Sequence, residues 1–101
     1  MNIEILHFEG CAGFVEALNI LERIVAEEGL AIEVVPVLLN SSDWSDFPGS
    51  PTILVDGQDL LPTKRHDVLA TSCRIYATPE GPKNHPTAEM VREALLKRWP
   101  A

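Results

Sequence analysis

The sequence predicts an α/β fold: one mixed four-stranded sheet with helices on both faces, in the order β-α-β-β-β-α, with a short helix or loop before the third strand. Three observations carry that expectation. A period-two strand pattern passes into a period-3.6 helix and then into a second apolar strand, a β-α-β unit whose crossover is right-handed and whose strands are parallel. The pair Asp56-Gly57 stands between two short strand-like runs, which reads as an antiparallel hairpin. A capped amphipathic segment then closes the chain.

From Asn2 to Phe8, Ile3 and Ile5 alternate with Glu4 before the run turns apolar at Leu6, the pattern of a strand with one face well buried. Glu9-Gly10 ends it. From Ala12 to Glu28, the residues Phe14, Leu18, Leu21 and Val25 recur every three or four positions, and Ala17, Ile20 and Ile24 widen the stripe. Glu16, Asn19, Glu22, Arg23 and Glu27 take the other side, which makes an amphipathic helix. Gly29 stands where a left-handed C-terminal residue belongs.

Ala31 to Leu39 is nearly continuous apolar and rich in β-branched residues, as expected of a strand covered on both faces. Pro36 donates no ladder hydrogen bond, so this strand belongs at an edge or carries a bulge. Asn40 to Gly49 is polar; Ser41 or Ser42 caps one short helical turn there before Pro48 stops it. Thr52-Ile53-Leu54-Val55 and Gln58-Asp59-Leu60-Leu61 flank Asp56-Gly57, which supplies the positive φ angles of a two-residue turn. Pro62 to Pro86 is a long stretch punctuated by proline and glycine, with Ser72-Cys73-Arg74-Ile75-Tyr76 as a short strand inside it. Thr87 caps a last helix running to Trp99, with Glu89 in its first turn, Met90, Val91, Ala94 and Leu95 facing inward, and Lys97 and Arg98 at its end.

The 101 residues, with 46% hydrophobic and 23% charged, have the balance of a single globular domain over residues 1–101. A net charge of −7 argues against nucleic acid as the main partner, because phosphate binding needs clustered Lys and Arg. No apolar run approaches the ~20 residues that cross a bilayer. The chain enters a strand with no basic leader or cleavage site, which predicts a cytoplasmic protein without a membrane partner. Two cysteines, Cys11 and Cys73, are too few for a disulfide-dense scaffold or a four-cysteine zinc site. Sulfur chemistry here rests on one or two thiols.

Cys11 lies in Gly10-Cys11-Ala12-Gly13-Phe14, between the first strand and the first helix. Unpaired N–H groups and the positive end of the helix dipole there favour thiolate over thiol, while the neighbouring Glu9 opposes that effect through like charge. The second stretch is Phe47-Pro48-Gly49-Ser50-Pro51-Thr52-Ile53-Leu54-Val55-Asp56-Gly57. It resembles the segment of thioredoxin-like proteins in which a glycine, a variable residue, a cis-proline and a threonine open the third strand. Pro51 matches the cis-proline, Thr52 its usual follower and Phe47 the apolar residue four positions earlier. With the element order and Cys11, the resemblance covers Met1 to Leu61 and the last helix, and it implies a thioredoxin-like, glutaredoxin-like fold. The topology brings the start of the third strand to the edge where Cys11 begins its helix. By resemblance, Ser50, Pro51 and Thr52 dock an extended peptide or glutathione beside the thiol.

Dithiol members of that family carry a second cysteine where this chain has Phe14, so the usual disulfide within one helical turn cannot close. Cys73 is then the candidate resolving cysteine, on the side of the fold where the fourth strand returns. Ser72-Cys73-Arg74-Ile75-Tyr76 also resembles a segment of short thioredoxin-like proteins labelled as relatives of organomercurial lyase. The expected function is thiol–disulfide redox chemistry with Cys11 as thiolate nucleophile, a small thiol or a protein thiol or disulfide as partner, and glutathione as a candidate co-substrate. No resident cofactor or metal is expected. Phe14 and Arg74 join the substrate contacts, Arg74 either favouring a nearby thiolate or pairing with an acid. Two other functions fit the residues: capture of a soft metal or organomercurial by Cys11 and Cys73, and a redox-inactive domain of the same fold that binds proteins through Phe14 and its apolar neighbours. His7 reads as a partly buried, hydrogen-bonded histidine. Lys64-Arg65-His66 reads as a solvated stretch, placed to meet an anionic ligand. Trp44 and Trp99 read as packing or interface residues. Oligomeric state stays open.

Overall fold

The computed structural model describes residues 2–39, 49–62 and 75–98. Strand β1 (Ile3–Phe8) leads into helix α1 (Ala12–Glu27), β2 (Val34–Leu39), β3 (Thr52–Val55), β4 (Gln58–Asp59), β5 (Tyr76–Thr78), β6 (Gly81–Lys83) and helix α2 (Ala88–Leu96). The first four strands form one mixed sheet in the order β2-β1-β3-β4, and β5 and β6 form a separate two-stranded ribbon. β1 pairs in parallel with β2 and antiparallel with β3, as a β-α-β unit followed by a hairpin requires. Asp56 and Gly57 both hold positive φ, 50° and 82°, and Val55 pairs with Gln58. That is the two-residue turn predicted for Asp-Gly.

Alternation along the strands decides where the core lies. Ile3 and Ile5 of β1 stand opposite Val55 and Ile53 of β3, so all four side chains leave the same face of the sheet. They are at most 1% exposed and share one apolar cluster with Ala17, Leu21 and Ile24 of α1 and Val91 and Leu95 of α2. Both described helices therefore cover one face of the sheet, not opposite faces. Arg92 of α2 joins them by bridging to Glu27 at 2.6 Å and Glu28 at 3.6 Å. The short helix expected before β3 falls on residues 40–48, outside those described.

The ends of α1 follow local chemistry. Its C-terminus closes with Gly29 at φ 63°, with Leu30 N–H on the Val25 carbonyl and Gly29 N–H on the Ala26 carbonyl, the paired hydrogen bonds of a Schellman ending. The buried stripe is Gly13, Ala17, Leu21 and Ile24, rotated from the one that Phe14, Leu18 and Val25 suggest. Gly13 explains the rotation: a Cβ there would lie 2.1 Å from the Asn84 carbonyl oxygen, so the helix turns its smallest residue toward the chain before α2. That helix begins as expected, with Thr87 accepting from Met90 N–H at 3.1 Å.

Two further expectations change. β2 lies at the edge of the sheet with Pro36 opposite Ile5, but Val35 and Leu38 are 43% and 59% exposed; the strand is not covered on both faces. The long stretch after Pro62 contains β5 and β6; β5 starts at Tyr76, and residues 72–74 of the expected short strand lie outside those described. Among the described residues, no helix is long and apolar enough to cross a membrane.

Candidate functional site

Cys11 is the residue at which β1 has ended and α1 has not yet begun. Its backbone is extended (φ −78°, ψ 111°), its N–H donates to the Phe8 carbonyl at 3.3 Å, and its own carbonyl accepts from Phe14 N–H at 3.3 Å. It is thus the N-cap residue of α1, but its side chain makes no capping hydrogen bond. The sulfur instead donates to the Ser50 carbonyl, 3.5 Å away, a weak hydrogen bond of the kind thiols make. The residue is half-buried.

Opposite it, the Ser50–Pro51 bond is cis, as the resemblance implied. Four contacts among the described residues help hold this turn in place. Ser50 Oγ accepts from Phe8 N–H at 3.1 Å, Thr52 Oγ1 donates to the Gly49 carbonyl, and Tyr76 Oη donates to the Pro51 carbonyl at 2.6 Å; Cys11 itself is the fourth. Ser50 and Thr52 have no exposed surface, and Pro51 is fully buried too. The turn meets Cys11 through the Ser50 carbonyl, and its three residues are buried.

Cys11 also borders open space. A groove of about 520 Å³ is lined by Cys11 together with His7, Phe8, Glu9, Phe14, Val15 and Leu38. The rings of His7 and Phe14 lie face to face, 3.6 Å between centroids and 7° between planes. His7 therefore joins the groove through stacking, which the sequence does not announce. Val15 and Leu38 are 54% and 59% exposed and add an apolar rim that strand and helix periodicity assign to no partner.

Of the predicted site residues, the structure brings together Cys11, Ser50, Pro51 and Thr52, with Phe14 one helical turn beyond Cys11. Cys73 and Arg74 lie outside the described residues, as do Phe47, Pro48, Trp44, Trp99 and Lys64-Arg65-His66. Among the described residues, no three His, Cys, Asp or Glu side chains cluster as metal ligands would. Sequence reasoning missed Tyr76, the sole tyrosine of the chain, whose hydroxyl reaches 25 residues back to the Pro51 carbonyl. A lone tyrosine in a stretch already flagged as strand was the available signal, because a buried phenol needs a hydrogen-bond partner. Compared with known proteins, the chain matches no family model, no curated protein and no solved structure.

Proposed function

We propose that this chain is a thioredoxin-like thiol–disulfide protein in which Cys11 is the nucleophile. The observation that carries the reading is a half-buried thiol at the N-cap of α1, 3.5 Å from the carbonyl that precedes a cis-proline. The β1-α1-β2 unit with antiparallel β3 beginning beside Cys11 supports the same reading. Cys11 lines a groove with Phe14, Val15 and Leu38, and substrate approaches through it toward Ser50, Pro51 and Thr52.

In the proposed reaction the Cys11 thiolate attacks one sulfur of a disulfide, forms a new S–S bond to it and expels the other sulfur as thiolate. Cys73 then attacks the Cys11 sulfur, releasing the captured thiol and leaving a Cys11–Cys73 disulfide. Glutathione disulfide is the candidate small substrate, and Arg74 a candidate contact for its carboxylates. The full chain is incubated with glutathione disulfide and its cysteine peptides are mapped by mass spectrometry. The expected result is an adduct on Cys11 that accumulates in Cys73→Ser and turns over to a Cys11–Cys73 disulfide in the parent. A folded chain whose Cys11 takes no adduct, where the urea-denatured chain does, would overturn the proposal.

A further inference from the structure

The β5–β6 ribbon touches the site from both sides. At its start, Tyr76, 2% exposed, donates its hydroxyl to the Pro51 carbonyl at 2.6 Å. Just past its end, the Asn84 carbonyl lies so close to Gly13 that a Cβ on that residue would come within 2.1 Å of it. Gly13 is two residues after Cys11, in the first turn of the helix that presents the thiol. Pro51 directly follows Ser50, whose carbonyl accepts the thiol hydrogen bond at 3.5 Å. One short ribbon therefore abuts both the element that carries the sulfur and the turn that carries its acceptor.

From this double contact we infer that the β5–β6 ribbon is a brace that restrains the Cys11 thiol, and that Tyr76 is its positioning residue. The inference rests on the reading of Cys11 as the reacting group. The mechanism is geometric. The S–H hydrogen bond to Ser50 has to break before the sulfur meets a reagent in the groove, and the ribbon sets how firmly that bond is held. Tyr76 fixes the acceptor by fixing the adjacent peptide unit; the Gly13–Asn84 contact fixes the donor by seating the first turn of α1. Ser50 Oγ accepts from Phe8 N–H at 3.1 Å and anchors the turn to β1, and the Tyr76 hydroxyl anchors it to the ribbon.

Alkylation of Cys11 by iodoacetamide, followed on the Cys11 peptide by mass spectrometry in the full chain at pH 7 and low temperature, tests this. Tyr76→Phe keeps the buried ring and removes only the hydroxyl, and it is expected to raise the rate at least about threefold, the scale of one neutral hydrogen bond. Val91→Ala, a core change on α2, lowers stability without removing either ribbon contact and is expected to leave the rate unchanged. Gly13→Ala is expected to raise the rate as Tyr76→Phe does, and the double variant to exceed neither single by much, because both loosen the same element. A Tyr76→Phe rate within about twofold of the parent, or an equal rise in Val91→Ala, overturns the brace. So do single effects that simply multiply. Should Gly13→Ala fail to fold, the Tyr76→Phe and Val91→Ala comparison decides alone. A parent chain inert to iodoacetamide whose Tyr76→Phe variant reacts supports the brace while removing the nucleophile reading; inertness of both removes the two together.

Discussion

Phe14 shows how one side chain decides what the site can be. It stands where a second thiol would complete a dithiol pair, and its ring is stacked on His7 with 3.6 Å between centroids. The position is therefore filled by an aromatic contact between the end of β1 and the first turn of α1. Offset and edge-to-face aromatic pairs contribute about 0.5–1.5 kcal/mol beyond the area they bury, and a square face-to-face pair like this one belongs at or below the low end. Phe14→Leu keeps apolar bulk and loses the stack, so an unfolding free energy lower by about 0.5 kcal/mol is expected in urea titration; a loss above about 1.5 kcal/mol would mean Phe14 holds the site by packing rather than by the stack. At this scale the sequence was informative about Cys11, because a strand run, a glycine and a helical stripe bracket it on either side. It was silent about the stack, since residues seven apart across a strand-to-helix turn obey no fixed periodicity. It was equally silent about Tyr76, whose partner is 25 positions away.

Elements were legible where local chemistry alone dictates them. Thr87 caps α2, Gly29 ends α1 and Asp56-Gly57 turns the hairpin as their side chains and φ preferences require. The ribbon was not legible, because Pro79, Gly81 and Pro82 read as loop punctuation. In the structure Pro82 pairs opposite Ala77 in a two-stranded ribbon, where a residue without an N–H costs little if that side faces no partner. Pro79 and Glu80 make the turn between β5 and β6, and Gly81, at φ 104°, opens β6 opposite Thr78. Gly29 gives a clean test of how much such a position matters. A Cβ there would meet nothing within 4 Å, yet φ is 63°, so any penalty is purely one of backbone conformation. Gly29→Ala is expected to cost about 1 kcal/mol with no change in Cys11 reactivity, read by urea unfolding alongside iodoacetamide labelling. An unchanged stability would show that the Schellman hydrogen bonds of Leu30 and Gly29 do not confine the chain to that angle.

At the scale of the whole molecule, the question is what joins sheet to helices, and magnitudes answer it. Periodicity revealed which residues are apolar but not that α1 and α2 share one face, because a stripe on a helix says nothing about which side of a sheet it meets. Two kinds of contact now join α1 to α2: the apolar cluster over Ile3, Ile5, Ile53 and Val55, and the Arg92 bridges to Glu27 and Glu28. The Arg92 and Glu27 side chains are 36% and 49% exposed, and pairs so placed contribute about 0–1 kcal/mol, since water and salt screen them. Ile5 is fully buried on the central strand, where truncation removes transfer energy and leaves a cavity, at a cost of about 2–5 kcal/mol. Ile5→Ala is therefore expected to lower the urea midpoint several times further than Arg92→Met does. Only the Arg92→Met difference should shrink when the titration is repeated at about 1 M salt, where the screening length falls to about 3 Å. Equal losses in the two variants, or an Ile5→Ala loss that fades with salt, would shift the hold between sheet and helices from packing to charge. In that case the ion pairs at the end of α1, rather than the apolar face beneath it, would keep the helix that carries Cys11 in place.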